Sequence, residues 1–131
     1  MNNYDFLILS ASEFERLTRD LLQKHLGCYI ESFTSGRDGG VDLRYANVKD
    51  SANIIQCKRY KDYQSLKNNL SKEVEKVKTL APSKYYISTS VGLTPANKEE
   101  ILHMFKPFIK KTEDIFGKED LNNLLSQFPD I

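Results

Sequence analysis

Two short segments of this chain contain residue types that could bind a metal ion and a phosphate group. Residues 36–43 (GRDGGVDL) contain Asp42 between two apolar neighbours, and residues 54–60 (IIQCKRY) place Gln56 and Lys58 two positions apart. If the two segments form neighbouring strands, these three side chains meet at one end of a sheet. A carboxylate, an amide oxygen and an ammonium group are suited to a hard divalent cation and a phosphate.

The β-branched residues that precede Gln56 favour a strand at the second segment. Residues two apart on a strand project from the same face, so Gln56 and Lys58 are predicted to point together. Ile55 and Cys57 are then predicted to point the other way, into a core.

Each candidate residue also has an ordinary structural interpretation. Asp42 could face solvent on a half-exposed strand, but Asp is depleted in strands and this one follows a double glycine, which favours a functional role. Lys58 could belong to a solvated basic strand edge together with Arg59 and Lys61. Its spacing from Gln56 after two isoleucines favours a site instead.

Helix and strand patterns alternate along the chain. A capping box formed by Ser10 and Glu13 begins the first helix, and Gly27 ends it. The other helices are predicted around residues 66–77, 94–107 and 118–128. The predicted strands span residues 29–34, 41–46, 53–60, 85–89 and 109–115, with a glycine-rich turn at 36–40. With the second and third strands as a hairpin, we expect an α/β domain whose central mixed sheet is flanked by helices, in the order α-β-β-β-α-β-α-β-α.

Length and composition indicate one intracellular domain. The chain has 131 residues, with 19 Lys and Arg against 18 Asp and Glu, so net charge alone does not indicate a nucleic-acid partner. No apolar run approaches the span of about 20 residues that a membrane helix needs, and the N-terminus lacks the pattern of a signal peptide. Cys28 and Cys57 have no metal-binding spacing and are predicted to be reduced thiols, which favours the cytoplasm.

Other titratable residues give weaker signals. Glu15 borders the apolar face of the first helix, where a surface residue supporting the helix N-terminus is an equally good interpretation. His25 and His103 are isolated and are predicted to be packing or surface residues. Glu73 and Glu75, with the lysines around them, are predicted to form a solvated helix face. The chain contains no phosphate-binding GxxxxGK[ST] loop, no GxSxG motif and no zinc-ligand spacing.

At these residues the chain resembles the Mrr-like restriction endonucleases of the PD-(D/E)xK nuclease superfamily. Phe14 and Glu15 are similar to the early acidic residue of that family, residues 39–42 (GGVD) to its G-G-(I/V)-D strand, and residues 56–60 (QCKRY) to its Q-C-K-R-Y motif. Many superfamily members have Asp or Glu at the position of Gln56, whereas the Mrr-like branch characteristically has Gln. The lower negative charge makes Glu15 a more credible metal ligand.

The resemblance implies a restriction-endonuclease-like core and hydrolysis of phosphodiester bonds, most readily of double-stranded DNA. It implies Mg²⁺ as the cofactor, with Mn²⁺ as a substitute, bound by Asp42, Glu15, Gln56 and the backbone carbonyl of Cys57. Asp42, Gln56, Lys58 and Glu15 would be the catalytic set.

Basic residues at the ends of the two motifs are candidates for contacts with the DNA backbone. They are Arg37, Arg59 and Lys61. Arg59 shares the side of its strand with Ile55 and Cys57, so it could instead have a structural role.

Residues 115–125 resemble the end of nuclease domains that are fused to NTPases of the NACHT/STAND type, which are associated with bacterial defence against phage. We therefore expect residues 1–131 to be a single nuclease domain, the N-terminal effector of a longer protein. Cleavage of both DNA strands needs two active sites, so a homo-oligomer formed through C-terminal regions beyond this sequence is expected. Two alternatives stay open: a catalytically silent module that binds DNA or protein, and an enzyme similar to Holliday-junction resolvases.

Overall fold

A computed structural model describes residues 4–32, 43–46 and 52–131 of the chain. The helices are α1 (Ala11–Leu26), α2 (Tyr63–Leu80), α3 (Pro95–Met104) and α4 (Lys118–Gln127). The strands are β1 (Glu31–Ser32), β2 (Leu43–Ala46), β3 (Ala52–Lys58), β4 (Lys84–Thr89) and β5 (Ile115–Phe116). Two short 3₁₀ turns, Phe6–Ile8 and Thr112–Asp114, precede α1 and β5.

The described strands form one mixed sheet in the order β1-β2-β3-β4-β5. β2 pairs antiparallel with β1 and with β3, and Leu43 lies opposite Ile55. β4 pairs parallel with β3 and with β5, and Lys58 lies opposite Thr89. The α/β class and the β2–β3 hairpin pairing predicted from the sequence are thus confirmed.

A separate hydrophobic core covers each face of the sheet, because successive strand residues point to opposite faces. Ile55 and Tyr86 pack with α1 and α4 on one face, and Cys57 packs against the edge of this core. Ile54 and Ile87 pack with α2 and α3 on the other face. The prediction that Ile55 and Cys57 point into a core is confirmed.

Local sequence signals set most helix ends. The Ser10 side chain accepts from the backbone N–H of Glu13, whose carboxylate accepts from the backbone N–H of Ser10 in return. Gly27 ends α1 with φ +67°, a left-handed conformation that glycine adopts at little cost. Thr94 caps α3 in the same way as Ser10 caps α1. α3 itself ends at Met104, three residues before Pro107.

The predicted strand at 109–115 is mostly wrong. Only Ile115 and Phe116 pair in the sheet, whereas Ile109 is buried among the side chains of the α2–α3 core. The residues between them are charged or polar and form a loop and a 3₁₀ turn. This run lacks the alternation of apolar and polar residues that is typical of a half-buried strand. The predicted strand at 29–34 is shorter as well: β1 contains two described residues, and positions 33 and 34 lie outside the described part.

Candidate active site

The C-terminal end of β3 holds Gln56 and Lys58 on the face of the sheet that α2 and α3 cover. Gln56 is 5% exposed and the Lys58 side chain 12% exposed. Both follow Ile54, which packs in the α2–α3 core, at the two-residue period of a strand. The structure therefore places these two side chains on the same face of β3, as their spacing predicts.

The backbone from Lys58 to Tyr60 is tied to Ser90, the residue that follows β4. The Lys58 carbonyl accepts from the backbone N–H of Ser90 at 3.3 Å. The Ser90 hydroxyl accepts from the Tyr60 N–H at 3.0 Å and donates to the Tyr60 carbonyl at 2.7 Å. Three hydrogen bonds thus fix the path of the chain as it leaves β3.

The Lys58 ammonium forms an ion pair with a carboxylate from α2. Its Nζ lies 3.0 Å from Oε2 of Glu73, and Lys76 Nζ lies 3.3 Å from the other oxygen, Oε1. Glu73 is only 6% exposed, so the prediction that it belongs to a solvated helix face is wrong. Its position three residues after Leu70 and four before Val77, both buried, is the signal that places it on the inner stripe of α2.

Tyr60 extends this group of residues. It packs against the α2–α3 core, and burial raises the pKa of its hydroxyl, with a smaller contribution from the negative charge of Glu73. The hydroxyl is therefore protonated over the whole neutral range and is able to donate a hydrogen bond. Lys58, Tyr60 and Glu73 together form a polar cluster at one end of a hydrophobic core.

Glu15 lies on the other face of the sheet. It is half-buried on α1 and lines a cleft of about 440 Å³ with Ser10, Ser12, Cys57 and Arg59, among others. Gln56 and Lys58, on the α2 face, are not among the residues that line it. The assignment of Glu15 as a metal ligand stays a prediction.

The basic candidates differ in their surroundings. Arg59 Nη2 donates to the Leu7 carbonyl at 2.8 Å, so this guanidinium anchors the segment before α1 while remaining exposed. Lys61 is exposed in the connection between β3 and α2. Asp42 and Arg37 lie outside the described residues.

The remaining titratable candidates are away from this cluster. His25 is exposed and contacts the ring of Phe116 edge-on, and His103 is exposed on α3, as predicted for packing or surface residues. Cys28 and Cys57 are thiols and not disulfide partners, and burial raises the pKa of Cys28. Among the described side chains, no three His, Cys, Asp or Glu residues converge as a metal site. None of the described helices has the length and apolarity to span a membrane.

The described strands form one mixed sheet, and the third of them ends in a Q-x-K pair. A comparison with protein families identifies the class of protein. Residues 7–103 match the restriction endonuclease family, Mrr catalytic domain, and the chain belongs to that family. The matched range includes Glu15, Asp42, Gln56 and Lys58. Enzymes of the restriction endonuclease family generally depend on a divalent metal.

A curated relative extends over almost the whole chain. The "uncharacterized protein y4cD" of Sinorhizobium fredii (strain NBRC 101917 / NGR234) is 42% identical over 130 residues, which cover 98% of this chain. The aligned part is 20% of that protein, so the chain spans about one fifth of its relative's length. No solved structure matches this chain.

Proposed function

We propose that this domain is a divalent-metal-dependent endonuclease that hydrolyses phosphodiester bonds of double-stranded DNA. The observation that carries the proposal is the pair formed by Gln56 and Lys58. They share one face at the C-terminal end of β3, in a chain that belongs to the restriction endonuclease family. An ammonium group held at such a place can compensate charge that develops on a phosphate.

The register of the β2–β3 hairpin supports a role for Asp42. Leu43 lies opposite Ile55, so one further step in the same register would place Asp42 opposite Gln56. Residues directly opposite on antiparallel strands share a face, with Cβ atoms about 4.5–5.5 Å apart. The proposal therefore requires Asp42 beside Gln56, although Asp42 itself lies outside the described residues.

The donor set suits Mg²⁺, with Mn²⁺ as a substitute. The ligands we propose are the Asp42 carboxylate, the Gln56 amide oxygen and the Cys57 backbone carbonyl. Glu15, on the opposite face of the sheet, would reach the ion only through water at the end of β3. All are hard oxygen donors, and Gln56 is an oxygen-bearing side chain at a buried strand end. The metal would lower the pKa of a water molecule and offset negative charge on the phosphate.

The chain's own groups would bind and orient the substrate. Lys58 is proposed to donate to the attacking water and to the phosphate oxygen that gains charge in the transition state. Arg37 and Lys61, with Arg59 as a further candidate, would contact backbone phosphates of the duplex. We propose that the domain works in the cytoplasm as the effector of a larger antiphage protein, in which oligomerisation brings two active sites together.

Plasmid cleavage tests the proposal. The purified domain is incubated with supercoiled plasmid in Mg²⁺, in Mn²⁺ and in chelator, and nicked and linear products are quantified. We expect products only with metal, and a loss of at least about 10²-fold in rate for Asp42→Asn. DNA binding without cleavage in either metal would indicate a silent binding module, and cleavage confined to four-way junctions would indicate a resolvase-like enzyme.

A further inference from the structure

We infer that Glu73 is a positioning residue for Lys58: its carboxylate reaches from α2 to the end of β3 and holds the ammonium group in place. This inference rests on the proposed function, because it assigns the residue that prepares Lys58 for catalysis. Glu73 is a carboxylate of the proposed site that lies outside the two sequence motifs.

The geometry of the pair favours a positioning role. The 3.0 Å separation of Lys58 Nζ from Glu73 Oε2 is a charge-assisted hydrogen bond, and both side chains are largely screened from water. A lysine side chain has four flexible bonds and loses its position readily when nothing holds its head group. In this low-dielectric environment the Glu73 carboxylate supplies both a fixed acceptor and a compensating charge.

The surroundings of Glu73 argue against a role as a metal ligand. Both of its oxygens are engaged, Oε2 with Lys58 and Oε1 with Lys76. The residue is 6% exposed and lies on the inner stripe of α2. A carboxylate that is enclosed in this way and paired with two lysine ammonium groups is poorly accessible to a hydrated metal ion.

The burial of Glu73 on α2 requires charged partners. A carboxylate on an apolar stripe is unfavourable unless charged partners replace the water that it loses. The neighbouring residues of the stripe, Leu70 and Val77, are buried, and Tyr60 closes the same cluster from the β3 side. The sequence therefore places a charge in this core where only Lys58 and Lys76 can compensate it among the described ion pairs.

The test compares three variants on the same helix. Glu73→Gln keeps a side-chain oxygen that can accept from Lys58 Nζ but removes the charge, and Glu73→Ala removes both. Glu75→Gln is the matched control, because Glu75 is exposed and pairs only with Lys78 at 3.4 Å among the described residues. Thermal unfolding first establishes that each variant is folded.

Cleavage kinetics give the first readout. We expect the maximal rate to fall by about 10²-fold in Glu73→Ala, with partial recovery in Glu73→Gln and no change in Glu75→Gln. The Mg²⁺ concentration for half-maximal rate should stay the same in all three. A folded Glu73→Ala protein with the wild-type rate would overturn the inference, and so would a large shift in the half-saturating Mg²⁺ concentration, which would make Glu73 a metal ligand.

Nitrogen-15 NMR of the lysine ammonium groups gives a second readout that does not depend on cleavage. A held and shielded ammonium exchanges its protons slowly and gives an observable signal, which Lys58→Arg assigns by its disappearance. The signal should persist in Glu75→Gln and vanish in Glu73→Ala; its persistence in Glu73→Ala would refute the positioning role. A wild-type protein that cleaves no DNA would refute the proposed function alone, and the NMR result would still decide the role of Glu73.

Discussion

The Thr18 hydroxyl on α1 and the Ser88 hydroxyl on β4 share a hydrogen bond of 3.0 Å, and both residues are fully buried. This bond joins the helix that carries Glu15 to the strand that pairs with β3. Glu15 precedes Thr18 by three residues, nearly one helical turn, so the bond also fixes the height of Glu15 along the sheet. The two hydroxyls form a buried polar link between α1 and the sheet.

We predict that Thr18→Val destabilises the domain by about 1–3 kcal/mol, because it leaves the Ser88 hydroxyl buried without its partner. The double variant Thr18→Val with Ser88→Ala should recover most of that loss, since it removes both polar groups. Urea denaturation of the single and double variants measures the coupling. Additive effects of the two substitutions would show that the hydrogen bond contributes no coupling.

A second prediction concerns the stability of Lys58 variants. On a solvated basic strand edge, replacement of Lys58 would cost little stability, but the structure pairs it with the buried Glu73. Lys58→Ala should therefore cost about 1–3 kcal/mol, because Glu73 keeps Lys76 but loses one charged partner. Chemical denaturation checks this, with Glu75→Ala as the control at a solvent-exposed ion pair. A cost no larger than that of the control would show that Glu73 gains little from Lys58.

The sequence predicts best those structural features that are fixed by interactions between residues close together in the chain. The capping box at Ser10, the left-handed Gly27 and the Thr94 cap follow from residues within one turn of each helix end. The shared face of Gln56 and Lys58 follows from strand geometry alone. These features are predicted correctly because the interactions that fix them join neighbours in the chain.

Features that depend on distant segments are predicted less well. The burial of Glu73 depends on Lys58, fifteen residues earlier and on another element. The shortness of β5 depends on β4, since only Ile115 and Phe116 find partners there. Glu15 and Lys58 lie on opposite faces of the sheet because α1 covers one face and not the other. The sequence pattern of α1 predicts which side of the helix is apolar, but it does not predict which face of the sheet that side packs against.

A third prediction uses the buried carboxyl of Asp114. Burial raises the pKa of this group, and the charges of Lys84 and Lys111 oppose that effect less strongly. The folded state therefore holds the proton more tightly than the unfolded state, and the contribution to stability declines as pH rises from about 4 through the raised pKa. Asp114→Asn, which cannot ionise, should be more stable than wild type near neutral pH, by up to about 1 kcal/mol.

The advantage of Asp114→Asn should shrink as the pH is lowered toward about 4, where the wild-type carboxyl gains its proton. Thermal unfolding at a series of pH values measures the difference. Glu113→Gln is the matched control, because Glu113 is the exposed neighbour in the same turn. An advantage that is the same at every pH would show that ionisation of Asp114 is not its cause.

A fourth prediction concerns Lys61 and the DNA backbone. Lys61 is exposed where the chain leaves β3, close to the proposed site, whereas Lys106 is exposed beyond the end of α3. If Lys61 contacts one phosphate, Lys61→Gln should weaken duplex binding equally for all sequences. It should also reduce the slope of log affinity against log salt by about 0.9. Lys106→Gln should leave the slope unchanged, and a Lys61 variant with the wild-type slope would remove Lys61 from the interface.

The last prediction concerns assembly. The net charge of +1 gives a lone domain little general attraction for DNA, and cutting both strands requires two active sites on one duplex. Joining two copies through an unrelated dimerisation domain raises the effective concentration of the second site to the millimolar range when the linker spans the distance. We expect the fusion to convert supercoiled plasmid to linear product at nanomolar concentration, where the isolated domain gives slow nicking. The matched control carries Asp42→Asn in one copy of a heterodimer, which should restore nicking as the main reaction. Equal linear product from the isolated domain and the fusion would show that assembly does not control cleavage, while leaving the endonuclease assignment intact.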